Sequence, residues 1–211
     1  MSRSPKFAPP SDQAVVDLVR AQPFGWIVSA GGGFAATPLP LRPKLASDGR
    51  LEALVGHFAR GNPQVEALRA DPCALILVLG PNGYVSPSWM SDRTQAPTWN
   101  YASARFEVEV AFLEDEAALR AVLDDLIGAC ESGRPGAWNA AEMGERYERL
   151  ARGVVAFHAR ITNQAGVFKL GQDERDDVYP GILAGLEAEG RGDLAAAMRA
   201  ANPTRGAPAK A

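Results

Sequence analysis

Residues 24–43, "FGWIVSAGGGFAATPLPLRP", decide the fold class of this 211-residue chain. Two apolar runs rich in β-branched and aromatic residues flank the glycines at 31–33, and this pattern predicts two short strands around a hairpin turn. The glycine spacing of a dinucleotide-binding fingerprint is missing, and so is the helix that must follow it. The stretch therefore predicts antiparallel pairing through a tight turn.

The remaining strand predictions come from the rest of the chain. Residues 49–59 predict a third strand, and the apolar run 73–80 predicts a buried strand that "GPNG" turns into "YVSPS". In residues 98–113 apolar and charged residues alternate, as in a long half-exposed strand. Residues 154–162 and 167–170 predict a last hairpin with its turn at "NQAG".

Helical patterns lie between and after these strands. Ser11 precedes the first helix, and Asn62, followed by a proline, begins a short one. Apolar periodicity predicts helices within 114–132 and 145–153, and two short C-terminal helices that break at residues 190–192. Because turns rather than repeated strand-helix crossovers join the strands, we predict an α+β fold that is mainly β, an antiparallel barrel with helices at its ends.

Composition is that of an ordinary globular protein, with 46% hydrophobic and 22% charged residues. We expect one domain over residues 1–202 and a disordered tail over 203–211, which is rich in Ala, Pro and Gly.

The net charge of −3 gives no field that would attract nucleic acid or anionic lipid. The apolar runs are too short for a bilayer and the N-terminus lacks a secretory apolar region, so we expect a cytoplasmic protein without membrane contact.

Residues that could carry metal or acid-base chemistry are few. Cys73 and Cys130 lack metal-ligand spacing, so we expect two reduced, buried thiols. With only His57 and His158 in the chain, a multi-histidine metal site is nearly excluded, and no Ser-His-Asp set or paired acid motif appears. We therefore expect no metal, assign no catalytic residue, and expect His158 to be a strand residue satisfied by a neighbour.

The stretch "GHFARGNPQ", residues 56–64, predicts a junction between a strand and a helix. A helix that begins near Asn62 offers backbone N–H groups and the positive end of its dipole, which suit a phosphate, and Arg60 can add a charged contact. The alternative is an ordinary helix cap beside a solvated arginine, which geometry alone favours. Lys169, at a strand end, is likewise either a second anion contact or a solvated lysine.

Aromatic residues cluster in "SPSWMSDRTQAPTWNY", residues 86–101. The faces of Trp89, Trp99 and Tyr101 can stack on a flat ligand ring or pack against a partner subunit. The alternative is a long loop that its tryptophans pin to the barrel. Periodicity does not distinguish these interpretations.

Five motifs, in this order, carry a resemblance to a known family: "ATPLPL", "GHFARGNPQ", "YVSPSW", "APTWNY" and "FKLGQD". Through them the chain resembles the PaiB-like, FMN-binding negative transcriptional regulators along nearly its whole length. The resemblance implies a split β-barrel of the pyridoxine-phosphate-oxidase type that forms homodimers and holds FMN in the cleft between subunits.

The resemblance also implies where FMN binds. Leu39 and Leu41 would line the flavin ring, and Trp99 and Asn100 would approach from the neighbouring strand or subunit. The ribityl phosphate would be held by one segment: His57, Phe58, Ala59, Arg60 and Asn62. The function implied is that of a flavin-binding transcriptional regulator that contacts DNA weakly or indirectly. The alternative is an FMN-dependent oxidoreductase that acts on a small substrate, of the flavin reductase or pyridoxine-phosphate-oxidase kind.

Overall fold

A computed structural model of the chain describes residues 5–205, which form six β-strands, six α-helices and three short 3₁₀ turns. The strands are β1 (Phe24–Ser29), β2 (Ala35–Leu45), β3 (Leu51–Ala59), β4 (Cys73–Val85), β5 (Thr98–Leu113) and β6 (Val154–Lys169). The helices are α1 (Asp12–Ala21), α2 (Pro63–Ala70), α3 (Glu116–Glu131), α4 (Glu145–Ala151), α5 (Tyr179–Ala188) and α6 (Gly192–Ala201).

The six strands form a closed barrel in the order β1-β2-β3-β6-β5-β4. The glycine turn at 31–33 joins β1 to β2, whose antiparallel register places Trp26 opposite Pro38. Strand β1 also pairs antiparallel with β4, and β3 pairs antiparallel with both β2 and β6. The predicted antiparallel barrel with helices is confirmed.

The chain divides into two compact units. Unit 1 comprises the described parts of Met1–Ala14, Leu79–Ala104 and Gly166–Ala211, and unit 2 comprises Val15–Val78 and Arg105–Ala165. The single domain over 1–202 remains a prediction. Of the predicted tail, residues 203–205 are described and residues 206–211 lie outside the described part of the chain.

The core of unit 2 follows the alternation of its strands. In β5, Phe106 is buried and its neighbours Arg105 and Glu107 are exposed, as the sequence predicted. Inside the barrel wall the Phe58 ring packs against Phe157, with ring centroids 5.3 Å apart. A second apolar cluster lies where α3 and α4 cover β3 and β6: Val55, Leu119, Val122, Ala151 and Ala156.

Two predicted turns are wrong, because β4 and β6 each continue as a single strand through "GPNG" and "NQAG". Neither Gly83 nor Gly166 has the positive φ that a tight hairpin favours. Both instead permit close packing within unit 1. A Cβ on Gly166 would lie 2.4 Å from Cγ of Pro9, and one on Gly83 would lie 3.0 Å from Cδ2 of Leu194.

Two predictions about burial are also wrong. Strand β4 is not buried on both faces, since Leu77 and Leu79 are 38% and 58% exposed on its outer face. Cys73 and Cys130 are free cysteines, as predicted, but both are exposed because they lie at the first residue of β4 and on the outer side of α3. Among the described residues, no helix has the length and apolar character needed to cross a membrane.

Candidate functional site

The N-terminus of α2 is an ordinary helix cap. Asn62 is the N-cap residue, and its side-chain oxygen accepts from the backbone N–H of Gln64 at 2.9 Å. The N–H of Asn62 donates to the carbonyl of Ala59, and the N–H of Val65 donates to the carbonyl of Asn62. Since Pro63 has no N–H, most donors of this helix start are used within the chain, which leaves few for a phosphate.

Arg60 is bound to protein groups rather than to solvent alone. Its guanidinium donates to Glu114 at 3.2 Å and to the carbonyl of Val154 at 3.1 Å, and the side chain remains 45% exposed. Glu114 also pairs with Arg69, and these two arginines, Arg69 above all, lower the pKa of the carboxyl. An anion that reached Arg60 would therefore compete with an ionised Glu114.

Gln64 holds α2 against the β1–β2 hairpin, a role that sequence analysis missed. Its side chain is buried, and its amide nitrogen donates to the carbonyls of Ile27 and Ala35 and to the hydroxyl of Ser29, at 3.1–3.2 Å. Its amide oxygen accepts from Thr37 at 2.6 Å. These hydrogen bonds hold in place the N-terminus of α2, where the helix is capped. The available signal was the helical spacing of Gln64 and Leu68, which share the buried face.

Leu39 and Leu41, predicted to line the flavin ring, are core side chains, and so is Phe58 of the predicted phosphate segment. Leu41 and Phe58 are fully buried and Leu39 is 7% exposed, whereas Ala59 is exposed. Flavin contacts by these residues remain a prediction.

His57 carries an unsatisfied polar atom. Its ring is half-buried on β3, across from Ala156, and its Nδ1 is buried without a hydrogen-bond partner among the described residues. Burial lowers the pKa of the imidazole, so the ring is neutral near pH 7. A buried ring nitrogen of this kind is suited to exchange a hydrogen bond with a ligand.

An exposed aromatic pair marks unit 1. Trp99 is 54% exposed and Tyr84 is 44% exposed, with their ring centroids 6.3 Å apart in an edge-to-face arrangement. The Lys169 ammonium donates to the hydroxyl of Thr98 and, at 3.3 Å, to the carbonyl of Trp99. Lys169 is thus not simply solvated, and the cation lies beside the strand that carries the indole.

Trp99 and Asn100 lie on opposite faces of β5, because successive side chains of a strand alternate. Asn100 is fully buried, its amide nitrogen contacts Sδ of Met198 at 3.6 Å, and its oxygen has no partner among the described residues. Trp99 is thus the member of the pair that reaches the surface, and contacts of the two residues with FMN remain a prediction.

The two tryptophans of residues 86–101 differ in the same way. Trp89 packs against α5, whereas Trp99 stays exposed, so the pinned-loop interpretation applies to the first residue and not to the second. The anchoring element is a helix rather than the barrel wall. Across the described residues, no cluster of three or more His, Cys, Asp or Glu side chains is arranged to hold a metal.

Comparisons with known proteins connect this geometry to a family. The profile described as "Putative FMN-binding domain" matches residues 1–163. "Protease synthase and sporulation protein PAI 2" of Bacillus subtilis is 29% identical over 180 residues, which is 84% of each chain. This similarity confirms the resemblance to the PaiB-like family.

Solved structures share the fold at low sequence identity. The FAD and heme binding protein of Mycobacterium smegmatis is 22% identical, with a TM-score of 0.57 over 83% of this chain and 78% of that one. The flavocytochrome Anf3 of Azotobacter vinelandii is 15% identical, with a TM-score of 0.58 over 80% and 72%. The barrel is thus the split β-barrel of flavin-binding proteins, and the chain belongs to the FMN-binding domain family, with FMN as its cofactor.

Proposed function

We propose that this protein is a PaiB-like, FMN-binding regulatory protein that acts as a negative regulator of transcription. The family match over residues 1–163 carries the proposal. The 29% identity to the Bacillus subtilis protein PAI 2 over most of both chains supports it. FMN, when bound, supplies a ring that accepts and returns electrons, and the protein supplies binding, orientation and electrostatics.

Groups within each unit fit the chemistry of FMN. In unit 2, the unpartnered Nδ1 of His57 can exchange a hydrogen bond with the cofactor, and the exposed guanidinium of Arg60 suits its phosphate. In unit 1, the exposed indole of Trp99 suits stacking on a flat ring, and Lys169 offers a cation. Asn62 acts in this proposal through the cap that sets the position of the helix start.

Regulation by direct reading of a DNA sequence has little support in the charges. The chain carries a net charge of −3, and many arginines of the described residues already pair with carboxylates, as Arg42 does with Asp125 and Arg160 with Glu109. A DNA-binding surface needs unpaired cations that replace counterions on phosphates. We therefore propose that the protein contacts DNA weakly or acts through another protein.

We also propose a homodimer. The outer face of β1 in unit 2 exposes Phe24 at 64% and Trp26 at 50%, and the register pairs Trp26 with the exposed Leu77 of β4. A large apolar face of this kind is typical of a protein interface. Light scattering at micromolar concentration should give about twice the chain mass of 22.4 kDa, and a monomer mass would contradict the proposal.

The site of action proposed is the cytoplasm, which agrees with the two free cysteines, Cys73 and Cys130. The functional test combines a nicotinamide oxidation assay of the purified, FMN-loaded protein with a deletion of its gene in the cell. A regulator should not oxidise NADH or NADPH catalytically, and its deletion should raise transcription of its target genes. Sustained nicotinamide oxidation with unchanged transcription would instead identify an FMN-dependent oxidoreductase.

A further inference from the structure

Trp89 lies in a notch made by two glycines of α5. A Cβ on Gly185 would lie 2.2 Å from Cδ2 of the indole, and a Cβ on Gly181 would lie 2.2 Å from the carbonyl oxygen of Trp89. No side chain tolerates such distances, so only glycine permits this approach. Glycine is disfavoured inside helices, and its presence at both positions of α5 points to the packing of Trp89 as the reason.

Polar contacts attach the same segment to the residues before α5. We call residues 86–97 the tryptophan segment. The hydroxyl of Ser91 donates to the carbonyl of Asp177 at 3.1 Å, and Arg175 pairs with Asp92 at 2.8 Å. Met90, next to the indole, is 5% exposed. The tryptophan segment is therefore held by apolar packing and by hydrogen bonds at neighbouring points.

The tryptophan segment leads directly into β5, whose second residue is Trp99. Trp99 is exposed, and Lys169 contacts its carbonyl and the hydroxyl of Thr98. The glycine notch thus fixes one end of a short connection whose other end carries the exposed indole. Displacement of Trp89 would make the residues that lead to Trp99 more mobile.

We infer that Trp89 is a positioning residue for the flavin, and that the notch at Gly181 and Gly185 holds Trp99 in place for stacking on the ring. The inference rests on the proposed function, in which the Trp99 indole stacks on FMN. Because stacking involves the ring and not the phosphate, loss of the notch should weaken FMN and riboflavin alike. This distinguishes it from the loss of a phosphate contact.

The test is Gly185→Ala, with Gly128→Ala as the matched control. Gly128 lies inside α3, and nothing lies within 4 Å of a Cβ placed on it, so its replacement tests a helix glycine without a close neighbour. We expect Gly185→Ala to weaken both flavins by about three- to tenfold, the range given by one aromatic stacking contact, and Gly128→Ala to leave both affinities unchanged.

A second readout needs no flavin. In the flavin-free protein, Gly185→Ala should speed amide hydrogen exchange across the tryptophan segment by at least about tenfold, while β3 keeps its protection. Faster exchange with unchanged flavin affinity, or unchanged exchange, would overturn the inference. If Gly185→Ala does not fold, Trp89→Ala compared with Trp89→Phe replaces it, and the smaller ring should restore at least part of the affinity. If the wild-type protein binds neither flavin, the proposed function and the positioning role both fail, whereas flavin binding by the wild type that Gly185→Ala leaves unchanged overturns the positioning role alone.

Discussion

Arg60 and Glu114 should have opposite effects on FMN affinity. Arg60 donates to Glu114 at 3.2 Å, so a phosphate that binds the guanidinium meets a carboxylate already bound there. Arg60→Ala removes the cation and should weaken FMN. Glu114→Gln keeps the shape of the side chain and removes its negative charge, and should therefore strengthen FMN.

The magnitudes follow from exposure. A hydrogen bond to a charged group contributes about 1.5 to 3 kcal/mol. For Arg60 we take about 1 to 2 kcal/mol, because solvent screens the exposed guanidinium and Glu114 competes for it. Arg60→Ala should therefore lower the affinity for FMN roughly 5- to 30-fold. A carboxylate and a phosphate that share one guanidinium lie about 5 Å apart, where screened repulsion is about 0.5 to 1 kcal/mol. Glu114→Gln should thus tighten FMN by roughly two- to fivefold.

The assay is a fluorescence titration of each variant with FMN and with riboflavin, which lacks the phosphate. Neither substitution should change riboflavin affinity. Arg134→Ala is the control, because Arg134 is an exposed arginine paired with one carboxylate, Glu131. The reasoning is refuted if Arg60→Ala binds FMN as the wild type does or loses both flavins equally, or if Glu114→Gln weakens FMN.

The remaining predictions concern stability and assembly. Gln64→Leu should lower the free energy of unfolding by about 2 to 3 kcal/mol and Tm by roughly 5 to 10 °C, because it leaves buried carbonyls without a hydrogen-bond donor. The control is Glu66→Leu on the exposed face of α2, which should change the free energy of unfolding by less than about 0.5 kcal/mol. Equal Tm values for the two variants would contradict the role of the Gln64 hydrogen bonds. Burial lowers the pKa of His57, so the unfolded chain binds its proton more readily and stability should fall as pH drops below about 6.5. His57→Gln should flatten that part of a thermal-melt series, and an unchanged pH profile would exclude the assignment. Trp26→Ser should shift the sedimentation equilibrium toward monomer, and a dimer as tight as wild type would remove Trp26 from the interface. Gel-shift assays should show weak, salt-sensitive DNA binding without sequence preference. Tight binding to one promoter fragment would contradict this prediction.

Local patterns in the sequence were sufficient for the helices and for most of the strands, but they placed false turns within β4 and β6. Strand β5 reads directly from the alternation of Phe106, Val108 and Val110 with charged residues, and α2 reads from Asn62 and the proline after it. Both signals lie within a few residues of the structure that they specify. The class of the fold followed from the predicted turn at residues 31–33 and from the lack of repeated strand-helix crossovers, although in the structure only β1–β2 and β2–β3 are joined directly by turns.

Features set by distant residues could not be predicted. The sequence alone makes Gly166 a turn residue, whereas in the structure its lack of a side chain lets Pro9 pack closely against it. It likewise makes Gln64 a surface residue, whereas in the structure its side chain is buried against the β1–β2 hairpin. The inward direction of Leu41 depends on the strand register, which a sequence pattern leaves free by one residue. Glu114, which pairs with Arg60, is 54 residues away in the chain and gave no local signal.

A titration of the purified chain with FMN tests the central claim most directly. We predict saturable binding of one FMN per chain, with a changed visible absorption spectrum and a changed flavin fluorescence, and with tighter binding of FMN than of riboflavin. A flavin spectrum that remained that of free FMN, at flavin and protein concentrations up to about 100 μM, would contradict the account.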